Sequence, residues 1–229
     1  MVHGSGRRTD RLVHITSDKK VVVISAVLFD ADGVIQEPSA AWRPALLALA
    51  GDGARAEELL AGIFAAEKPC LTGVQDFETA LAEVLLRWNC ATNVAEALQI
   101  WTMIERDDQI LNVISRLRAD GIHVALATNQ QAHRADFMSK QLGYAKLFDD
   151  LFYSCELGQA KPDPEYFLTI LDRLGLAGEN VLFIDDHESN IRAALSTGLR
   201  ARVFKKNCGA EGLLGLLQEY DLVTIASKN

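Results

Sequence analysis

The chain has no surplus of basic residues, no paired cysteines and no apolar run long enough to span a bilayer, and each absence removes a class of function. Only 23 Lys and Arg stand against 31 Asp and Glu, giving a net charge of -8, and the cations form no stripe. A nucleic-acid backbone is held by clustered cations, so nucleic acid is not expected as a partner. The four cysteines (Cys70, Cys90, Cys155 and Cys208) lie far apart with no CxxC pair, which argues against a zinc site or a disulfide scaffold and fits a reducing, cytoplasmic setting. The longest apolar run, Val21 to Phe29, is rich in Val and Ile and ends at an Asp. Crossing a membrane takes about 20 apolar residues, so this run reads as a strand and no membrane partner is expected. Arg7-Arg8 has the form of a twin-arginine signal, but Thr16 to Lys20 is polar where an apolar segment would have to begin, so residues 1–18 read as a polar, tag-like extension. Internal repeats and low-complexity segments are missing too.

What is present is a change of rhythm. After the first strand, Trp42 to Ala50, Ala54 to Ala66, Asp76 to Trp88 and Val94 to Ile104 carry apolar residues at three- and four-residue spacing, the period of helices, with no strand between them. From Asp107 onward helices alternate with short apolar strands: Ile122 to Thr128, a short extended piece at Leu151 to Tyr153, Val181 to Ile184 and Ala201 to Phe204. Near-continuous apolar strands separated by helices indicate parallel strands joined by crossovers and covered on both faces. The fold class is therefore α/β, a doubly wound parallel sheet with an inserted α-helical unit. The expected domains are a core of residues 19–36 and 107–229 and a helical insertion of residues 37–106.

In such sheets ligands sit beyond the carboxyl ends of the strands, and those ends are where the polar residues fall. The first carries Asp30-Ala31-Asp32-Gly33, the second Thr128-Asn129, and a later one Asp185-Asp186 followed by His187-Glu188-Ser189-Asn190. Lys161-Pro162-Asp163-Pro164 opens a helix, where Pro164 suits the first turn. Taken singly, Asp32 reads as a turn residue, Lys161 as a solvated lysine and Thr128-Asn129 as a helix cap. Together they form a self-repelling group of acids, which a divalent ion relieves. Hard oxygen ligands suit Mg²⁺. Side-chain alternation along a strand places residues two apart on one side, so Asp30 and Asp32 are expected to face one site, with Gly33 permitting a tight turn.

The four segments Phe29-Asp30-Ala31-Asp32-Gly33-Val34, Ala127-Thr128-Asn129, Lys161-Pro162-Asp163-Pro164 and Ile184-Asp185-Asp186 resemble, in order, the signature motifs of the haloacid dehalogenase superfamily, in its phosphatase branch with a small helical cap between the first two motifs. The resemblance implies a Mg²⁺-dependent hydrolase of small phosphorylated metabolites. Asp30 would be the nucleophile and Asp32 the general acid and base. Thr128, Asn129 and Lys161 would hold the phosphoryl group, and the metal would bind through Asp30, Asp32 by its backbone carbonyl, and Asp186, with Asp185 reaching it through water. Asn190 would support that shell. Dehalogenases of the superfamily generally lack the second acid, so Asp32 speaks for phosphate chemistry. The segments Ser154 to Gly158 and Phe183 to Asn190 look most like a branch that includes glucose-1-phosphate phosphatases, which implies a sugar phosphate or similar monoester.

Two other functions remain open on the sequence: a phosphomutase of the β-phosphoglucomutase type, which shares the nucleophile and the acid, and a non-catalytic phosphate-binding or regulatory protein. Specificity is expected from the insertion, around Gln36 to Ala40 and Lys68 to Gln75, where Lys68 and Thr72 are polar. His187 reads equally as a loop or a substrate-facing residue and His123 as structural. Phe64, Phe77, Trp88 and Trp101 read as packing inside the insertion. Oligomeric state is not legible in the sequence.

Overall fold

The computed structural model describes residues 23–51 and 55–223; the extension over residues 1–18, including Arg7-Arg8, lies outside them. In chain order the elements begin with β1 (Ala26–Phe29), β2 (Gln36–Pro38), α1 (Trp42–Ala48), α2 (Ala56–Glu67), α3 (Phe77–Arg87), α4 (Val94–Ile100) and β3 (Ile104–Arg106). The second part runs through α5 (Asp108–Ala119), β4 (His123–Thr128), α6 (Ala132–Lys140), α7 (Tyr144–Leu147), β5 (Asp150–Tyr153), α8 (Ser154–Leu157) and α9 (Pro164–Leu174). It ends with β6 (Val181–Asp185), α10 (Glu188–Ser196), β7 (Arg200–Val203) and α11 (Gly209–Gln218).

Five strands form one parallel sheet in the order β5-β4-β1-β6-β7. Alternate residues of its strands enter two separate cores. Val27, Phe29, Val124, Leu126, Leu182 and Ile184 pack with α5 and α11 on one face. Ala26, Leu28, Ala125, Ala127, Val181 and Phe183 pack with α9 and α10 on the other. This is the doubly wound α/β arrangement that the uninterrupted apolar strands imply. Burying each large side chain is worth about 1.5–3 kcal/mol, and a one-residue slip would exchange every one of them between faces. The register is fixed accordingly, with Phe29 opposite both Leu126 and Ile184.

Helices α1 to α4 share a core of their own around Leu59, Ile63, Phe77, Leu81 and Trp101. Phe77 and Trp101 meet edge to face with ring centroids 4.9 Å apart. Trp88 lies beneath the guanidinium of Arg55, whereas Phe64 is an exposed side chain against Trp42. One expectation fails here. The helix read over Val94 to Ile104 ends at Ile100: Thr102 turns back to bond the Gln99 carbonyl, and Ile104–Arg106 pairs antiparallel with Gln36–Pro38. The β-branched Ile104 continues the helical period in the sequence but is better satisfied in a ribbon. Both chain crossings between the four helices and the sheet pass through that ribbon.

Gly178 sits in the short 3₁₀ turn Gly178–Asn180 that leads into β6, where helix propensity alone would favour alanine. A Cβ there would lie 2.6 Å from the Gly198 carbonyl carbon and 2.9 Å from the Leu199 nitrogen, both backbone atoms with no room to yield. Gly178→Ala is therefore expected to destabilise the protein by about 1–3 kcal/mol, read as a lower urea midpoint; an unchanged or higher midpoint would contradict the close approach.

Candidate active site

The register that buries the strands also aligns their ends. Asp30 follows Phe29 on the central strand and receives no strand partner of its own, but its amide donates to the Ile184 carbonyl (2.9 Å). Asp185 ends the neighbouring strand β6 and Thr128 ends β4 on the other side. These two acids and the threonine are buried at one edge of the sheet.

Lys161 reaches this edge from the loop before α9. Its ammonium lies 2.8 Å from Asp30 Oδ1 and 2.7 Å from Asp185 Oδ2, with the lysine itself 5% exposed. The loop is held in place by Asn129, whose side chain donates to the Lys161 carbonyl (2.8 Å) and accepts from the Lys161 amide (2.9 Å). Asp185 also accepts from both the Asn190 side chain and the His187 amide, so it is saturated within the protein. Burial opposes the charge on Lys161, but Asp30 and Asp185 outweigh it and hold the ammonium above its usual range. Asp30 shares its cation with a second acid: burial pushes its carboxyl up to about 6, Lys161 opposes that push, and Asp185 reinforces it.

Asp32 occupies a different environment. Strand β1 ends at Phe29, so strand alternation is not what turns Asp32 toward Asp30. A turn does this work: the amides of Val34, Ile35 and Gln36 all donate to the Ala31 carbonyl, and Gly33 adopts φ +83°. The Asp32 carboxylate then meets Arg134 in a two-pronged contact, Nη2 to Oδ1 and Nη1 to Oδ2, both 2.7 Å. Gln36 and Gln130 side chains donate to the same two oxygens at 3.0 and 2.9 Å. Burial alone would raise this acid, but the guanidinium and the two amides hold it below the usual carboxylate range. Sequence reasoning missed Arg134 and Gln130, and it named Gln36 only as the start of a specificity stretch, not as a partner of Asp32. Gln130 precedes the N-cap of α6 and Arg134 lies in its first turn, so no helical periodicity marks them as a pair.

Asp186 lies apart from Lys161, its side chain only 5% exposed, with the His187 ring nitrogen 2.5 Å away and Lys206 at 3.4 Å. His187 is exposed at the start of α10, and His123 pairs with Asp150 at the sheet edge, away from the site. Asp185, Asp186 and His187 bring metal-ligand atoms within 4.8 Å of one another. The Asp186 carboxylate is pressed against Gly33, where a Cβ would lie 2.4 Å from Oδ2. The glycine thus leaves a cradle in which the carboxylate approaches the loop carrying Asp30 and Asp32, and the all-oxygen donor set of Asp30, Asp32 and Asp186 suits a hard cation. Beside these acids is a cavity of about 340 Å³ lined by Asp30, Asp32, Thr128, Asn129, Lys161 and His187, among others, all from the sheet-bearing part of the chain. The loop at Lys68 to Gln75 lines a separate cavity through Cys70 and residues 73–75.

The model of the haloacid dehalogenase-like hydrolase family matches residues 24–198. A phosphorylated carbohydrates phosphatase from Thermotoga maritima is 28% identical over 97 residues, covering 42% of this chain and 45% of the relative; the chain matches less than half the length of such curated relatives. A HAD family enzyme from Bacteroides thetaiotaomicron has the same fold, with a TM-score of 0.71 at 18% identity over 81% of this chain and 95% of its own. Its complex with magnesium and inorganic phosphate gives 0.67 at 20% identity, over 80% and 96%. Among the described residues, no helix is long and apolar enough to cross a membrane.

Lys161 neutralises two buried acids at once, so its removal exposes the repulsion it suppresses. Lys161→Met is expected to cost about 3–5 kcal/mol at neutral pH, measured by urea unfolding without added metal; a change within 1 kcal/mol would show that the three groups are not mutually dependent.

Proposed function

The chain belongs to the haloacid dehalogenase-like hydrolase family, and on that premise we propose that it is a Mg²⁺-dependent phosphomonoester hydrolase of small phosphorylated metabolites working through an aspartyl-phosphate. The observation that carries this reading is the buried Asp30, in ionic contact with Lys161 at the end of the central strand and followed two residues later by a second acid.

In this reading an Asp30 carboxylate oxygen attacks phosphorus, and the bond from phosphorus to the leaving oxygen breaks. Asp32, protonated, gives its proton to that oxygen. The resulting Asp32 carboxylate takes a proton from water as the water oxygen attacks phosphorus and releases Asp30 with inorganic phosphate. Lys161 and Thr128 face the equatorial oxygens, where charge builds in the transition state, while Asn129 keeps the Lys161 loop in register. Asp30, the Asp32 carbonyl and Asp186 would hold Mg²⁺, with Asp185 behind them on Lys161 and Asn190. The ion supplies charge neutralisation for nucleophile and phosphate.

The four-helix unit of residues 37–106 serves in this proposal as a cap hinged at the β2–β3 ribbon, and the site beneath it acts on free metabolites in a cytoplasmic setting. The size of the cavity, about 340 Å³, supports a small leaving group such as a sugar.

Purified protein is expected to release phosphate from 4-nitrophenyl phosphate and from some sugar phosphates, with activity lost on chelation and restored by Mg²⁺. Asp30→Asn should lower turnover by about 10⁴-fold or more with the fold retained, and turnover surviving that change would refute the covalent route. Gly33→Ala drives a Cβ into Asp186 at a left-handed backbone position, so it should weaken Mg²⁺ activation about 10–100-fold; an unchanged Mg²⁺ titration would remove Asp186 from the metal site.

A further inference from the structure

We propose that Arg134 is a positioning residue for the acid and base Asp32, and that it ties that group to the four-helix unit through Glu67. The inference rests on the phosphatase reading above. It begins from a saturation argument. An ionised carboxylate offers about four lone-pair positions, and Asp32 has four N–H groups on its two oxygens, two from Arg134 and one each from Gln36 and Gln130. None is left for a leaving-group oxygen or an attacking water. The state described is thus a parked one, and the two shortest bonds that park it come from one guanidinium.

Arg134 is well suited to let go. Its Nη1 is shared with Gln130 Oε1 (3.1 Å), and its Nε is buried with no hydrogen-bond partner among the described residues. A second carboxylate, Glu67 in the last turn of α2, lies close enough for Arg134 and Asp32 both to act on its charge, beyond the range of an ion pair. Glu67 Oε1 accepts from the Trp101 indole (2.9 Å), which anchors it to the core of the four helices. Helix α6, which carries Arg134, touches the same unit where the His133 ring meets the Leu98 carbonyl (3.2 Å). One fork with an unused N–H therefore stands between two acids that belong to different parts of the fold. When the four-helix unit shifts over α6, the fork can turn one N–H to Glu67 and open one oxygen of Asp32 to the substrate, while its other prong keeps the second oxygen in place and the carboxyl aimed at the site. Guanidinium geometry matters for this, since a lysine cannot hold both oxygens at once.

The test separates steps by their need for a proton. Departure of 4-nitrophenolate needs no acid, whereas departure of an alkoxide from glycerol phosphate does. In wild type, Mg²⁺- and Asp30-dependent phosphate release establishes the underlying reading, and its absence overturns that reading and this inference with it. Given that activity, Arg134→Lys and Arg134→Met are expected to lower glycerol phosphate turnover by about 10² or more while the first-turnover burst of nitrophenol changes less than about threefold. Free guanidinium should restore Arg134→Ala in part. Glu67→Gln should lower the alkyl rate relative to the burst in the same direction, and the double variant with Arg134→Met should be no worse than Arg134→Met alone. If both Arg134 variants lose burst and alkyl turnover in equal proportion, Arg134 is structural and the proposal fails. If Glu67→Gln leaves the ratio untouched, the link to the four helices fails.

Discussion

A lysine buried between two carboxylates on adjacent strands is the interaction on which this site depends. Neighbouring strands lie about 4.8 Å apart, so a register that aligns Asp30 with Asp185 forces two negative charges together where water is scarce. Moving such charges out of water costs several kcal/mol each unless they are paired and bonded. Lys161 meets both at under 3 Å, and the remaining capacity of Asp185 is filled by Asn190 and the His187 amide. Because Lys161 comes from a third element, its loop has to be fixed as well, which is the work of the paired Asn129 contacts. The charge problem at the sheet edge thus dictates residues in four separate stretches of sequence.

The two cores of the sheet make that arrangement rigid. With alternate strand residues buried on opposite faces, the register cannot slip without moving both hydrophobic sets to the wrong side. The three strand ends remain aligned for the same reason. The geometry of this edge is a consequence of packing far from it, since the apolar residues of β1 and β6 decide where Asp30 and Asp185 stop.

Much of this was readable in the chain because it rests on local patterns. Apolar strands with helices between them give the doubly wound sheet, and the acids after those strands fall together at one of its edges. Three features were not readable. The end of α4 was hidden because Ile104 fits both the helical period and a strand, and only its pairing with Pro38 decides between them. Arg134 was hidden because nothing local distinguishes it from any other arginine on a helix: its partner Asp32 lies 102 positions away. The orientation of Asp32 was inferred from strand alternation, whereas three amides converging on the Ala31 carbonyl produce it. A pattern two residues long can have either cause, and the sequence carries both readings equally.

The four acids at the edge are not equivalent, and their differences account for what the site still needs. Asp32 takes both prongs of Arg134 and is held below its usual range, while Asp30 must share Lys161 with Asp185 and is pushed up to about 6. Counted as charges, Asp30, Asp32, Asp185 and Asp186 bring four negatives against the two positives of Lys161 and Arg134; Lys206 touches Asp186 only from a half-exposed position at 3.4 Å. The remainder is two negative charges, of which Lys206 offsets part. A divalent cation offsets such a remainder more fully than a monovalent ion does. Under the proposed function, an incoming phosphate dianion would meet net repulsion at this edge without such an ion, so the same imbalance that favours Mg²⁺ would also make substrate binding depend on it.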